Sequence, residues 1–220
     1  MATKVDIAGT DIPASQMKEF YRLAALPGGH VNRGTFQSYL EKRDPFAFER
    51  NEHGHVILTF TGLDLTGVAE VKWLEAGDYR VGDYAKSCFL STRDDSYDLH
   101  HRLESGHIYK VALMPGKEIE HEAERTTANL RKRGMEQYGY SKPLGGFIPR
   151  VRETLSDKQM EELGIWYAAA LHDPIADSDG SPRVLHADRG GGGRWVDTYW
   201  DDPDCQWDGL GAFVFPVSAS

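Results

Sequence analysis

The sequence predicts an α+β domain with an antiparallel C-terminal sheet, preceded by a small helical module. Three observations carry this. Residues 55–61 (HVILTFT) and 107–114 (HIYKVALM) read as strands, with helical patterns between and after them. From 182 to 217 short aromatic and β-branched segments alternate with Gly, Asp and Pro, the pattern of strands joined by turns. Two short amphipathic stretches separated by Pro27-Gly28-Gly29 precede residue 45. Early alternation followed by a closing run of strands is an α+β pattern.

Residues 5–12 read as an extended segment with a turn at Gly9. Ser15, after Pro13, caps a helix carrying Met17, Phe20, Tyr21 and Ala24 at helical spacing. Asn32 caps a second with Phe36, Tyr39 and Leu40. A helix pair this short buries little apolar surface alone, so residues 1–45 form an accessory module that packs on the main domain or on a second copy of the chain, a route to a homo-oligomer. The main domain, 51–220, opens with the strand at 55–61. Thr66 caps a helix through Val68, Val71, Trp73 and Leu74 that Gly77 ends, and Gly82-Asp83 opens another with Tyr84, Ala85, Cys88 and Phe89. Residues 91–105 read as a polar loop. Pro115-Gly116 stops the strand at 107–114, and 120–137 reads as one mostly polar helix. Pro143, Gly145-Gly146 and Pro149 break the chain before a helical patch at 150–155. Ser156 and Gln159 have capping-box spacing. Residues 165–171 form a third strand, and Asp177-Ser178-Asp179-Gly180 turns the chain into its tail.

The net charge of −9, without a contiguous basic stretch, excludes a phosphate-backbone binder. Arg131-Lys132-Arg133 follows Glu124-Arg125 as on a solvated helix face. No apolar run approaches the roughly 18 residues of a membrane span, and MATKVDIAGTDIP lacks the pattern of a signal peptide. The expectation is a cytoplasmic protein without membrane insertion, with surface display through a partner left open. Cys88 and Cys205 are too few for a disulfide framework or a zinc site. Cys88 lies on an apolar helix face as a buried thiol, and Cys205 sits among aspartates, which raise a thiol pKa. No Ser occupies a Gly-x-Ser-x-Gly turn, and Gly190 to Gly193 lack the Lys of a phosphate loop. His53 with His55, and His100-His101 with His107, do not supply the three or four converging ligands of a metal centre. Asp177-x-Asp179-Gly180 begins like a calcium loop but lacks its closing carboxylate. Asp201-Asp202 and Asp204 read as surface groups, because loop neighbours seldom have the opposed environments that split two pKa values. No catalytic residue, metal or cofactor is assigned.

The tail is the odd stretch. It holds three of the five tryptophans, Trp195, Trp200 and Trp207, and closes on Ala212-Phe213-Val214-Phe215. Between His186 and Leu210 there is no Lys, Glu or Met; the filler is Asp, Gly, Tyr, Thr, His and Cys, with Arg189 and Arg194. Aromatic anchors around small adaptable polar residues make a binding palette of the kind used by antibody loops. Trp195, Trp207, Phe213 and Phe215 are the expected anchors.

The succession R-G-G-G-G-R-W, W-D-x-P, a further Trp and a closing G-x-F-x-F resembles C-type-lectin-fold proteins of the formylglycine-generating-enzyme type, and more closely the variable proteins of diversity-generating retroelements. In those, adenines of a C-terminal variable region are rewritten. An AAY codon then yields Asp, Gly, Tyr, His, Ser, Thr, Cys or Arg among others, but never Lys, Glu, Gln, Met or Trp. Gln206 and the tryptophans would then belong to the fixed frame. TFTGLDLTG, GDYAKSCFLST, HRLESGHIYKVALMPGKEI and ALHDPIADSDG are similar to bacterial proteins with such tails. The resemblance implies a C-type-lectin-like fold with a variable region at about 183–217. It also implies a non-catalytic protein whose C-terminal face binds a ligand, usually a protein. The implied ligand-binding positions are His186, Asp188, Gly190, Gly191, Gly192, Asp197, Thr198, Tyr199, Asp201, Asp202, Asp204, Cys205, Asp208, Gly209 and Leu210. The competing reading is an enzyme of that fold, or a hydrolase built on His and Asp. Only Cys205 stands where the formylglycine-generating enzymes carry reactive cysteines.

Overall fold

The computed structural model describes Lys4–Ile7, Thr10–Pro13 and residues 48–217 apart from Gly192. The chain divides into two units, Met1–Phe48 and Glu49–Ser220. In the first, β1 (Lys4–Ile7) and β2 (Thr10–Pro13) pair antiparallel, on either side of the turn that the sequence placed at Gly9 in an extended segment. The helices expected after Ser15 and Asn32 lie outside the described residues.

The second unit is built on a mostly antiparallel sheet of nine strands. They are β3 (Glu49–Arg50), β4 (Val56–Thr61), β5 (Tyr79–Val81), β6 (Ile108–Pro115), β7 (Tyr167–Ala169), β8 (Ile175–Ala176), β9 (Pro182–Asp188), β10 (Arg194–Trp200) and β11 (Gly211–Pro216). Their order is β3-β4-β6-β11-β7-β9-β10-β5, with β8 paired to β9. The pairs β11–β7 and β10–β5 are parallel. The tail is therefore not a separate sheet: β11 enters the middle and unites β6 with the later strands. This unit is mixed α+β.

Local signals set most boundaries. Thr66 accepts the Ala69 N–H to start α1 (Gly67–Ala76), which ends at Gly77. Gly82 precedes α2 (Asp83–Phe89). Ser156 and Gln159 form the full reciprocal capping box of α6 (Asp157–Glu162). Other elements differ from expectation. The stretch 91–105 contains α3 (Tyr97–His100) and buries Tyr97, His101 and Leu103. Residues 120–137 are not one helix. Thr126 caps the short α4 (Thr127–Lys132), a π turn follows over Arg133–Gln137, and Glu122–Glu124 form only a 3-10 turn. Pro149 lies inside α5 (Phe147–Thr154), in the first turn, where a helix has no use for the missing N–H. Arg131 and Arg133 are not on a solvated face. Arg131 donates to the carbonyls of Leu171 and His172, and Arg133 to Glu118.

Strand alternation sorts the sheet into two faces. One carries Ile57, Ala112, Met114, Phe213, Phe215, Tyr167, Ala169 and Val184, and forms a core with Ile119, Leu130, Tyr140, Leu171 and Trp207. The other carries Val56, Leu58, Val111, Leu113, Ala168, Leu185, Ala187, Val196, Ala212 and Val214, all buried. On that side α5 lies against β4, β7, β9 and β10, with Phe147 against Phe60 and Tyr109. Between α1 and α5 Glu70 and Arg150 form a buried ion pair, to which Tyr97 donates its hydroxyl proton.

Candidate functional site

The first face loses its cover beyond Val184. Register places Asp188 opposite both Tyr167 and Trp195, and His186 opposite both Ala169 and Asp197; Tyr199 lies opposite Val184. His186, Asp188, Asp197 and Tyr199 therefore share one surface at the β7–β9–β10 end. Thr198 does not. It pairs with Leu185 on the opposite face, and its Oγ1 is buried without a partner, which removes it from the expected binding positions. The alternation Val196-Thr198-Trp200 already carried that signal.

The loop 201–210 closes over this surface, and its backbone is held largely from outside itself; within it Cys205 N–H donates to Asp202 O, and the Asp202 and Asp208 carboxylates accept the N–H groups of Asp204 and Leu210. The N–H groups of Thr127 and Ala128, at the start of α4, donate to Cys205 O and Pro203 O, both at 3.0 Å. Thr126 bridges Gln206. Trp207 N–H donates to Arg125 O at 2.9 Å, and its indole Nε1–H to Thr127 Oγ1 at 2.9 Å. Arg125 is buried and has no carboxylate partner among the described residues. Its guanidinium donates to Gly116 O, Ile119 O and Trp207 O. Trp207 is 5% exposed and packs against Tyr167, Tyr199 and Phe213. Asp202, Asp204, Asp208 and Leu210 are exposed, while Cys205 and Gly209 are half-buried. Asp201 departs from expectation: its side chain is 7% exposed and lies 2.8 Å from Arg131, so it belongs to the frame.

At the hairpin tip Asp188 Oδ1 accepts the Gly190 N–H at 2.7 Å, and Gly191 has φ +52°. Gly190 is half-buried and Gly191 exposed; Gly192 lies outside the described residues. A Cβ on Gly191 would meet nothing within 4 Å, and one on Gly209 would make only ordinary contacts at 3.6 Å. The adjacent frame glycine, Gly211, is the opposite case: a Cβ there would lie 2.2 Å from the Tyr167 ring.

Strand face and loop meet at a cavity of about 260 Å³. Trp166, Tyr167, Tyr199 and Trp207 give its aromatic walls, and His186, Asp188, Gln206 and Asp208 its polar ones. His186 Nε2 lies 3.2 Å from Asp188 Oδ2. A carboxylate only accepts, so Nε2 carries a proton, and Nδ1 is buried without a partner. Burial alone would raise the Asp188 carboxyl, but hydrogen bonds from His186 and Gly190 outweigh it and hold the pKa below its usual value. Trp166, Tyr167 and Gln206 were not among the expected positions. Trp166 stood inside an apolar strand, and only tertiary pairing turns it outward, to 42% exposure.

Of the expected anchors, Trp207, Phe213 and Phe215 are buried, whereas Trp195 is only half-buried and lies under Arg80, 5.3 Å from its ring centre. Trp200 is 48% exposed, with Arg183 stacked at 3.5 Å. Asp177 is consumed by Arg183 and by the amides of Asp179 and Ser181.

The histidines make two buried networks elsewhere. His55 Nε2 lies 2.6 Å from Glu118 and Nδ1 2.7 Å from Tyr140 Oη, which also accepts from Asn51. Tyr138 and Arg133 donate to the other Glu118 oxygen. With Nε2–H donating to Glu118 and the Tyr140 hydroxyl donating to Nδ1, every partner is satisfied, as in a structural strut tying β4 to the 116–118 turn. The His101 and His172 rings lie 4.5 Å apart, tilted by 56°, and each accepts a backbone N–H, from Gly145 and Leu185. Cys88 is buried, which pushes its thiol up to about 12, and burial followed by Asp202 and Asp201 raises Cys205 despite a bond from Tyr199. Among the described residues no group of three His, Cys, Asp or Glu is placed to hold a metal ion, and no helix is long and apolar enough to cross a membrane. Compared with protein-family models, curated proteins and solved structures, the chain matches none.

Proposed function

We propose that this chain is a non-catalytic ligand-binding protein with a C-type-lectin-like fold, whose C-terminal face is diversified by a retroelement and binds a protein ligand. The observation that supports this most is the division of labour in the loop 201–210. Its outward backbone hydrogen bonds go largely to α4, Arg125 and Thr126, groups outside the variable set, and most of its side chains point to solvent, with Asp202 and Asp208 alone also accepting loop N–H groups, of Asp204 and Leu210. Side chains that do not hold the backbone are free to change identity, which a diversified surface requires. His186, Asp188, Asp197 and Tyr199 continue that surface from the strands, and Gly190 and Gly191 from the hairpin. Thr198 and Asp201 are left out of the proposed binding set.

The coding DNA tests the diversification. The reading expects a near-copy of the tail's coding segment close by, differing only where the copy has adenines, together with a reverse transcriptase gene. A tail with neither leaves the fold intact and removes the retroelement from the account.

A further inference from the structure

The cavity at the centre of this face has fixed and changeable walls, and they differ in chemistry. Trp166, Tyr167 and Trp207 lie outside the proposed binding set; Tyr199, Asp188 and Asp208 lie within it. Trp207 is locked through Thr127 and Tyr167 is nearly buried, so these rings form a floor that does not depend on the changeable residues. At about 260 Å³ the cavity suits one long side chain rather than a drug-sized ligand, which takes roughly 300–1,000 Å³.

Three of the molecule's tryptophans already show what such rings attract. Arg189 lies over Trp166 at 4.8 Å, Arg80 over Trp195 at 5.3 Å and Arg183 over Trp200 at 3.5 Å. Among the described residues, no Arg stacks on Tyr167, Tyr199 or Trp207. Aromatic faces attract a guanidinium, most strongly where water is excluded. Asp188 spends one bond on each oxygen and keeps lone pairs for further donors, and Asp208 spends only Oδ1, on Leu210 N–H.

We propose that this cavity binds an arginine side chain of the protein ligand: its guanidinium packs against the aromatic walls, and Asp188 and Asp208 select its charge. The proposal rests on the binding reading above and deepens it. The floor would serve every version of the face, whereas the choice of a cation belongs to this chain's residues at 188 and 208.

The test uses the full chain and two probes, N-acetyl-arginine methylamide and its neutral isostere N-acetyl-citrulline methylamide, followed by the indole N–H resonances of Trp166 and Trp207. The arginine probe is expected to move both resonances saturably, with a Kd at least tenfold lower than the citrulline probe. The double variant Asp188→Asn with Asp208→Asn should bring the two probes to within about threefold. Equal binding of both probes to the native chain, or no movement of either resonance, overturns the proposal without any variant. A chain carrying His186→Ser, Tyr199→Ser and Asp208→Ser separates the two readings. If it folds while the arginine probe fails on the native chain, only the cavity assignment falls; if it unfolds, the binding reading falls with it.

Discussion

Replacing Arg125 with Met keeps the volume of the side chain and removes its donors. The guanidinium makes four of its bonds to three carbonyls. Gly116 O keeps a second donor, Ile119 N–H, so Ile119 O and Trp207 O are the groups left without partners. A buried acceptor deprived of its partner costs about 1–3 kcal/mol, so Arg125→Met should destabilise by roughly 2–6 kcal/mol, with relief wherever water reaches the site. The effect should also be local. Urea unfolding gives the total, and amide exchange at Cys205 and Trp207 reports whether the loop loosens first. A loss below about 1 kcal/mol with unchanged exchange at Trp207 would refute the claim that this cation holds the loop.

Three further outcomes follow. Gly211→Ala drives a methyl into the Tyr167 ring and should cost about 1–3 kcal/mol or more, whereas Gly209→Ala should stay within about 0.5 kcal/mol; thermal melts of the pair decide it. Burial, followed by His100, lowers His101 to about 4, and burial followed by His101 lowers His172 well below its ordinary value. A depressed histidine contributes stability that is complete above about pH 6.5 and lost as pH falls through its folded value, about 4 for His101. Burial raises Glu70 to about 7, and this acts in the opposite sense. NMR titration of the two imidazoles is therefore the clean readout: neither should protonate above pH 5, and titration near 6.5 would contradict the burial argument. Cys88, raised to about 12, should resist alkylation in the folded chain at pH 8 and react only on unfolding, which mass spectrometry resolves.

What the sequence made legible was local. Thr66, Gly77 and the Ser156–Gln159 box act within one turn, and each stands where its residue type predicts. What it hid was non-local. Tyr79–Val81 is a strand only because β10 runs parallel beside it, and three residues carry no period of their own. The helix expected over 120–137 breaks because Arg125 turns inward to backbone carbonyls, the distant Trp207 O among them, and Thr126 caps a new start. At the site, Trp207, Phe213 and Phe215 were legible as anchors, but Trp195 was not, since its half-exposed ring lies under an Arg from another strand. Asp201 looked like its neighbours until Arg131 reached it.

The central claim is that the frame, not the changeable residues, holds the fold. Its most direct measurement is the unfolding free energy of a chain carrying Asp188→Ser, Tyr199→Ser, Asp202→Ser, Asp204→Ser and Asp208→Ser, beside Trp207→Ala. The multiple variant should unfold cooperatively within about 2 kcal/mol of the native chain, and the single tryptophan change should cost about 3–5 kcal/mol. A multiple variant that unfolds, or a Trp207→Ala chain as stable as the native one, would contradict that claim.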